Sequence, residues 1–312
     1  MRNPFFSIIV PCYNVEKYVK ECIDSILMQS IDDYEIIAIN DGSTDTTYDI
    51  LKENYENNRY VKIINQENKG LSETRNVGIM NSVGTYLIFI DSDDYWNNSD
   101  ALKKIKNYIE KFNSDVILIG YTKIYPDGKM VEKRRINFCQ EKGIDYLIKT
   151  NYFKACAWDK IVKRELIVSN NIFFPKGLLS EDIIWCANIL KVTKEIGCIE
   201  ENFYMYRQRG DSITKNVKEK NILDMVNMIN DAKCDNYIVN SYLAYEYTVA
   251  LGLVSTKMIK NKICYDTRKT LFSLSYMLKN NLNDKVKKVY ILYKIVGIKL
   301  TSLCLGIFID KK

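Results

Sequence analysis

Residues 85–94 read TYLIFIDSDD. Residues 85–90 are an apolar run rich in β-branched and aromatic side chains. Its length and character fit a central strand buried on both faces. Four polar residues follow at once, three of them carboxylates. A fully buried strand ending in a cluster of charge is the signature of a sheet that opens to ligand at its carboxyl edge.

The pattern repeats on both sides of that stretch. Upstream, residues 5–10 (FFSIIV), 34–39 (YEIIAI) and 61–64 read as strands. Between them, Val15, Val19, Cys22, Ile23, Ile26 and Leu27 keep helical spacing over 15–29. Residues 45–55 form a second expected helix, with Ser43 or Thr44 near its cap, and Ser72 is placed to cap a third over 73–81. Downstream, Ser99 is placed to cap a helix carrying Leu102, Ile105, Ile109 and Phe112, and 116–119 is another strand. This alternation predicts an α/β fold with a mostly parallel sheet and helices on both faces. Pro126-Asp127-Gly128 marks a hairpin within 121–136. Ile183, Ile184, Ala187 and Leu190 predict a helix over 180–191. From about 216 the chain reads as helices. The expected division is a domain over 1–215 and a helical, basic region over 216–312.

Composition narrows the chemistry. Among 312 residues there is no histidine. Ser-His-Asp hydrolysis, His-ligated zinc and imidazole acid/base work are therefore excluded. Carboxylates, Lys, Tyr or Cys must carry acid/base steps. Any metal would take oxygen ligands, as Mg or Mn does. Nine cysteines, none spaced as C-x-x-C, point to neither a zinc ribbon nor a disulfide framework. No secretory leader is expected, so a reduced cytoplasmic setting follows.

The strand-end clusters come in order: Pro11-Cys12-Tyr13-Asn14, Asn40-Asp41-Gly42-Ser43-Thr44-Asp45, Gln66-Glu67-Asn68-Lys69-Gly70 with Arg75-Asn76, and Asp91-Ser92-Asp93-Asp94. Any one alone reads equally well as a turn or a cap. Asp91-Ser92-Asp93 is a D-x-D triplet whose two carboxylates can share a divalent cation completed by diphosphate oxygens. There is no G-x-G-x-x-G and no P-loop, so phosphate charge must be met by metal, Arg or Lys.

These stretches together resemble family 2 glycosyltransferases of the GT-A fold, of the kind that builds capsular polysaccharide or exopolysaccharide. The resemblance rests on SIIVPCYN (7–14), INDGSTD (39–45), NKGLSETRNVGI (68–79), FIDSDDYW (89–96), AWDKIVKREL (157–166), the 174–182 stretch and YMYRQRGDSIT (204–214). It covers roughly residues 4–215. It implies a Rossmann-like nucleotide-binding domain, a nucleotide-sugar donor, most simply a UDP-sugar, and Mn or Mg as cofactor. By resemblance, Pro11 and Tyr13 would line the nucleobase pocket, and Asp41 would accept a hydrogen bond from the base. Asn68 and Arg75 would lie near the nucleotide. Asp91 would sit by the ribose or metal, next to Ser92, and Asp93 would ligate the metal. Asp182 would be the general base and Glu181 its brace or an acceptor contact. Arg207 and Arg209 would approach the diphosphate.

The Glu181-Asp182 pair also reads as ordinary helix-start chemistry after Ser180. Trp158 and Tyr152 suit stacking on an acceptor sugar, or plain packing. A nucleotidyltransferase on a similar fold and a non-catalytic scaffold of a polysaccharide assembly remain alternatives.

Charge separates the ends. Residues 1–214 carry 28 basic and 31 acidic side chains, whereas residues 215–312 carry 17 and 8. Residues 286–309 are strongly apolar but interrupted by Lys294 and Lys299. Peripheral contact with an anionic membrane face, packing on the protein's own core, and a homo-oligomer contact all fit this segment. The membrane reading suits extension of a lipid-linked glycan. Nucleic acid is not expected as a partner, because no nucleic-acid module accompanies the charge.

Overall fold

The computed structural model describes residues 4–133, 143–209, 217–259 and 261–311. In chain order the elements are β1 (Phe6–Cys12), α1 (Val19–Leu27), β2 (Tyr34–Asp41), α2 (Thr47–Tyr55), β3 (Val61–Gln66), α3 (Leu71–Asn81), β4 (Tyr86–Phe89), β5 (Tyr95–Trp96), α4 (Ala101–Phe112), β6 (Val116–Ile124) and β7 (Met130–Lys133). There follow α5 (Gly143–Lys149), β8 (Lys160–Lys163), α6 (Arg164–Ser169), α7 (Asp182–Val192), β9 (Ile196–Arg207), α8 (Glu219–Ala232), α9 (Tyr237–Leu253), α10 (Tyr265–Ser273) and α11 (Asp284–Asp310).

The chain divides into two compact units. The first comprises residues 1–141, 156–177 and 192–209; the second comprises 142–155, 178–191 and 210–312.

The first unit holds the sheet, in the order β3-β2-β1-β4-β8-β6-β9-β5, with β7 on β6. β1 pairs in parallel with β2 and β4, and β2 with β3. All four residues of β4 are buried, as its unbroken apolar run requires. The parallel expectation holds for these four strands; beyond them the sheet is mixed. β8 runs antiparallel to both β4 and β6, and β5 antiparallel to β9, while β6 and β9 are parallel. The short strand β8 enters after a long excursion rather than through a βα crossover, so nothing holds it to the parallel direction. The hairpin is present as β6 and β7, closed at Gly128, whose φ is 83°. Expected hairpin residues 134–136, like Cys139, lie outside the described residues.

Helix starts differ from expectation by short-range chemistry. The Asp45 carboxylate, not Ser43 or Thr44, accepts the Thr47 N–H at the head of α2. Gly70 occupies the cap of α3, with Ser72 buried inside the first turn. Asp100 rather than Ser99 precedes α4. On α1, Val19, Cys22, Ile23 and Ile26 are buried at the predicted spacing.

The second unit is helical. α9 is buried almost throughout, and its start is capped by the Asn236 side chain, which accepts from the N–H groups of Ile238 and Val239. The Tyr242 hydroxyl donates to the Ile183 carbonyl, tying α9 to α7. α11 packs on α9 and is broken at Gly297, whose φ of 75° and ψ of 170° are not helical.

Candidate functional site

The carboxyl edge of β1, β2 and β4 collects the expected clusters. At the end of β1, Pro11 is buried and Tyr13 is exposed. Asn14 adopts a left-handed conformation, accepts the Thr44 N–H at 2.8 Å and donates its own N–H to Ser43 Oγ. The two loops are thereby stitched together.

Asp41 closes β2 and is buried. Its carboxylate accepts from the N–H groups of Lys69 and Gly70, each at 2.9 Å, and from Gln66 Nε2 at 2.7 Å. Asp41 thus fixes the loop that carries Asn68, which is exposed. Gly42 beside it has φ of 67°, and a Cβ there would lie 2.6 Å from the Asn68 nitrogen. Only glycine permits that approach.

α3 supplies Arg75. Its guanidinium is buried, donates to Asp91 Oδ1 at 3.1 Å and lies over the Phe174 ring. Asn76 exchanges two hydrogen bonds, each 2.9 Å, with the backbone of Phe174, holding that ring under Arg75.

After β4 the three carboxylates part company. Asp91 meets Arg75. Asp93 Oδ2 meets Arg209 Nε at 2.8 Å. Asp94 turns inward, accepting from the Tyr204 hydroxyl at 2.7 Å and from the Arg207 N–H at 2.8 Å. The Asp91 N–H in turn donates to the Tyr204 oxygen. Burial, then the charges of Asp93 and Asp91, hold the Asp94 carboxyl well above the usual carboxylate range. Burial and the Asp91 charge also raise Asp93, against the pull of Arg209. Ser92 is buried, and the Cys12 thiol donates to the Val10 carbonyl.

Arg207 pairs with Glu21 and lies over the rings of Tyr18 and Tyr95; Arg209 shares the Tyr18 ring. Trp158 follows the packing alternative. Its face stacks on Tyr204 at 4.6 Å and its surroundings are Tyr121 and Tyr206, leaving it 8% exposed. The strong aromatic match of those strands to an indole takes the ring inward.

Glu181, Asp182 and Tyr152 belong to the second unit. Asp182 is the first residue of α7, and both acids are half-buried. Ser180, at φ of 66°, precedes them and its carbonyl accepts the Ile183 N–H. Tyr152 is half-buried, with its ring edge-on to Tyr146.

Among the described residues, no three Cys, Asp or Glu side chains converge as a metal cage. Asp91 and Asp93 still fit Mg or Mn, which take one or two carboxylates and fill the remaining positions with phosphate and water. The crowding that raises Asp93 is the condition a cation relieves.

Residues 7–168 match the sequence model of Glycosyl transferase family 2. The chain belongs to that family. It is 30% identical over 220 residues to the uncharacterized glycosyltransferase EpsJ of Bacillus subtilis, covering 68% of this chain and 63% of EpsJ. It is 31% identical over 211 residues to the poly(ribitol-phosphate) beta-N-acetylglucosaminyltransferase TarS of Staphylococcus aureus, covering 66% of this chain and 36% of TarS. The match therefore spans less than two thirds of either relative's length. The crystal structure of S. aureus TarS 1–349 with UDP-GlcNAc superposes with a TM-score of 0.72 at 22% identity, over 96% of this chain and 90% of that one. The shared fold is GT-A, with a helical C-terminal region.

Within this family 2 chain, sequence reasoning passed over Asp94, Tyr204, Tyr18 and Glu21. Asp94 lay in the quoted cluster, but nothing local distinguishes an inward carboxylate from its neighbours. Tyr18 and Glu21 sit one turn apart on or beside α1, a spacing that was available.

Proposed function

We propose that this chain is an inverting glycosyltransferase that moves a sugar from a UDP-sugar to a hydroxyl of a growing surface-polysaccharide or lipid-linked glycan. It acts in the cytoplasm at the inner face of the cell membrane, with peripheral contact through residues 286–312. The observation that carries the reading is the pair Asp91 and Asp93 at the end of β4, faced by Arg75 and Arg209, in a family 2 chain. The UDP-GlcNAc held by TarS supports the choice of donor.

Pro11 and Tyr13 line the base. Asp41 holds the Asn68 loop against it and offers the base an acceptor. Arg75 orients Asp91, and Asp91 and Asp93 would hold Mn or Mg, which would supply Lewis-acid stabilisation of the departing diphosphate. Arg207 and Arg209 add positive charge at that leaving group. The acceptor oxygen attacks the anomeric carbon as the carbon–oxygen bond to the diphosphate breaks. The acceptor proton passes to the Asp182 carboxylate, braced by Glu181. A positioned base of this kind contributes roughly 10²–10⁴-fold in rate.

The test is nucleoside-diphosphate release from UDP-, GDP- and dTDP-sugars, with Mn and with EDTA, wild type beside Asp93→Ala. Release from a UDP-sugar that EDTA abolishes and Asp93→Ala cripples is expected. Absence of Mn-dependent UDP binding in a direct titration would overturn the reading. Asp182→Asn should lower transfer by about 10²-fold or more while UDP binding stays within about twofold. Full activity in that variant removes Asp182 as the base.

A further inference from the structure

The second half of α11 is built inside out. Over residues 298–310 the fully buried positions are small or polar, Thr301, Ser302 and Gly306, while Leu305 and Ile309 lie half-buried against Gly252 of α9. Ser302 Oγ donates to the Leu251 carbonyl and meets Ser255 Oγ, each at 2.6 Å. Gly306 lies so close to Ser255 that a Cβ would fall 2.6 Å from its backbone. The side chains turned outward are apolar: Leu300, Leu303, Ile307 and Phe308 are 48–58% exposed. Before the break, Ile291 and Ile295 are outward too, Ile295 at 76% exposure. A helix folded against water places its apolar stripe inward. Small residues and hydroxyls at the helix–helix contact, with large apolar residues outside, is the arrangement lipid selects.

The break at Gly297 decides how such a helix meets the bilayer. By length and composition α11 is long and apolar enough to cross a membrane. Its two halves, 284–296 and 298–310, are however separate helices joined at a non-helical residue. Each extends only about 20 Å at 1.5 Å per residue, short of the roughly 30 Å hydrocarbon core. Lys294 and Lys299 flank the break, and both are exposed. Lys285, Lys287 and Lys288 are exposed at the start and Lys311 at the end. A spanning helix would bury the central pair, whereas a helix lying in the interface lets their ammonium groups reach headgroups. A second copy of this chain on the same face would bring those lysines against their equivalents; an anionic surface attracts each of them.

We propose that the outward face of α11, centred on Leu303 and Ile307, embeds in one leaflet of an anionic bilayer, with the lysines around Gly297 at headgroup level. This rests on the peripheral membrane contact proposed above and specifies the face, the depth and the lipid charge.

The experiment uses the full chain and two vesicle preparations, pure phosphatidylcholine and an equal mixture with phosphatidylglycerol. Co-sedimentation with the mixed vesicles is expected, and about tenfold loss in the Leu303→Lys/Ile307→Lys double variant. Both side chains are exposed, so an unchanged melting temperature should accompany the loss. The wild type supplies a second measurement that needs no variant in the face. Cys304 and Cys264 are both exposed, on α11 and at the head of α10. Mixed vesicles should slow alkylation of Cys304 and leave Cys264 unchanged. No binding to mixed vesicles, equal alkylation of both thiols, or a dimer in light scattering that the double variant dissociates would each overturn the proposal. UDP titration of the same samples, expected to be unaffected by the double variant, keeps failure of this proposal separate from failure of the transferase reading.

Discussion

At the residue scale the least anticipated group is Asp94. It is a carboxylate 1% exposed, directly after Asp93 and three residues after Asp91, serving the Tyr204 hydroxyl and the Arg207 N–H. Because Tyr204 also receives the Asp91 N–H and stacks on Trp158, one buried side chain fixes the backbone that aims Asp91 and Asp93. Asp94 is thus a positioning residue, acting through Tyr204. Its folded-state carboxyl is raised above the ordinary 3.8 by burial first and by Asp93 and Asp91 next. The folded state therefore binds this proton more tightly than the unfolded chain does. The resulting stabilisation is complete below pH 3.8 and is lost as pH rises through the raised value. Asp94→Asn should remove that slope. With EDTA present, melting temperature against pH should fall less steeply above pH 3.8 in the variant than in the wild type. Parallel curves would mean that Asp94 carries no linked proton.

At the element scale, the strand-to-helix loops differ in what holds them. The β1 and β2 loops are stitched by side chain to backbone, through Asn14 and Asp41. The loop after β2 also needs a vacancy, which Gly42 provides. Gly42→Ala would force a Cβ against the Asn68 backbone in a left-handed conformation. The expected cost is about 2 kcal/mol, read as a lower urea midpoint, and UDP affinity should fall as the Asn68 loop shifts. Unchanged stability would show that the loop can move aside freely. The strand and helix order of the first four βα steps was legible because apolar runs and helical spacing are local signals. The caps were less so: Ser72, Ser99 and Ser43 satisfy the cap pattern, yet the nearby Gly70, Asp100 and Asp45 stand at the helix starts instead. The antiparallel entry of β8 left no local mark, since Lys160–Lys163 reads alike in either direction.

At the scale of the whole molecule, the same division separates what could be read in advance from what could not. The clusters at Asp41, Arg75 and Asp91–Asp93 were legible because polar residues directly after buried strands have few other reasons to recur. The role of Tyr204 was not, because its partner Asp94 lies 110 residues earlier in the chain. Nor was the inverted face of α11, because hydropathy reports how apolar a segment is and not which side turns inward. The cysteines test the molecule as a whole. Cys12, at the end of β1, is fully buried, and burial pushes its thiol up to about 12. Burial raises Cys22 on α1 well above the ordinary range as well. Burial keeps the Cys12 thiol protonated, and attack by an alkylating agent needs both thiolate and access. In vesicle-free solution, iodoacetamide should modify Cys264 and Cys304 first, with Cys12 and Cys22 untouched over the same period. Adding urea should bring Cys12 and Cys22 into reaction together, because both lie in the core shared by β1 and α1. Peptide mapping against urea concentration checks this. Labelling of Cys22 well before Cys12 would show α1 leaving the sheet before the sheet opens, and would place the loops that carry Tyr13 and Asn14 on a less stable support than β1 itself.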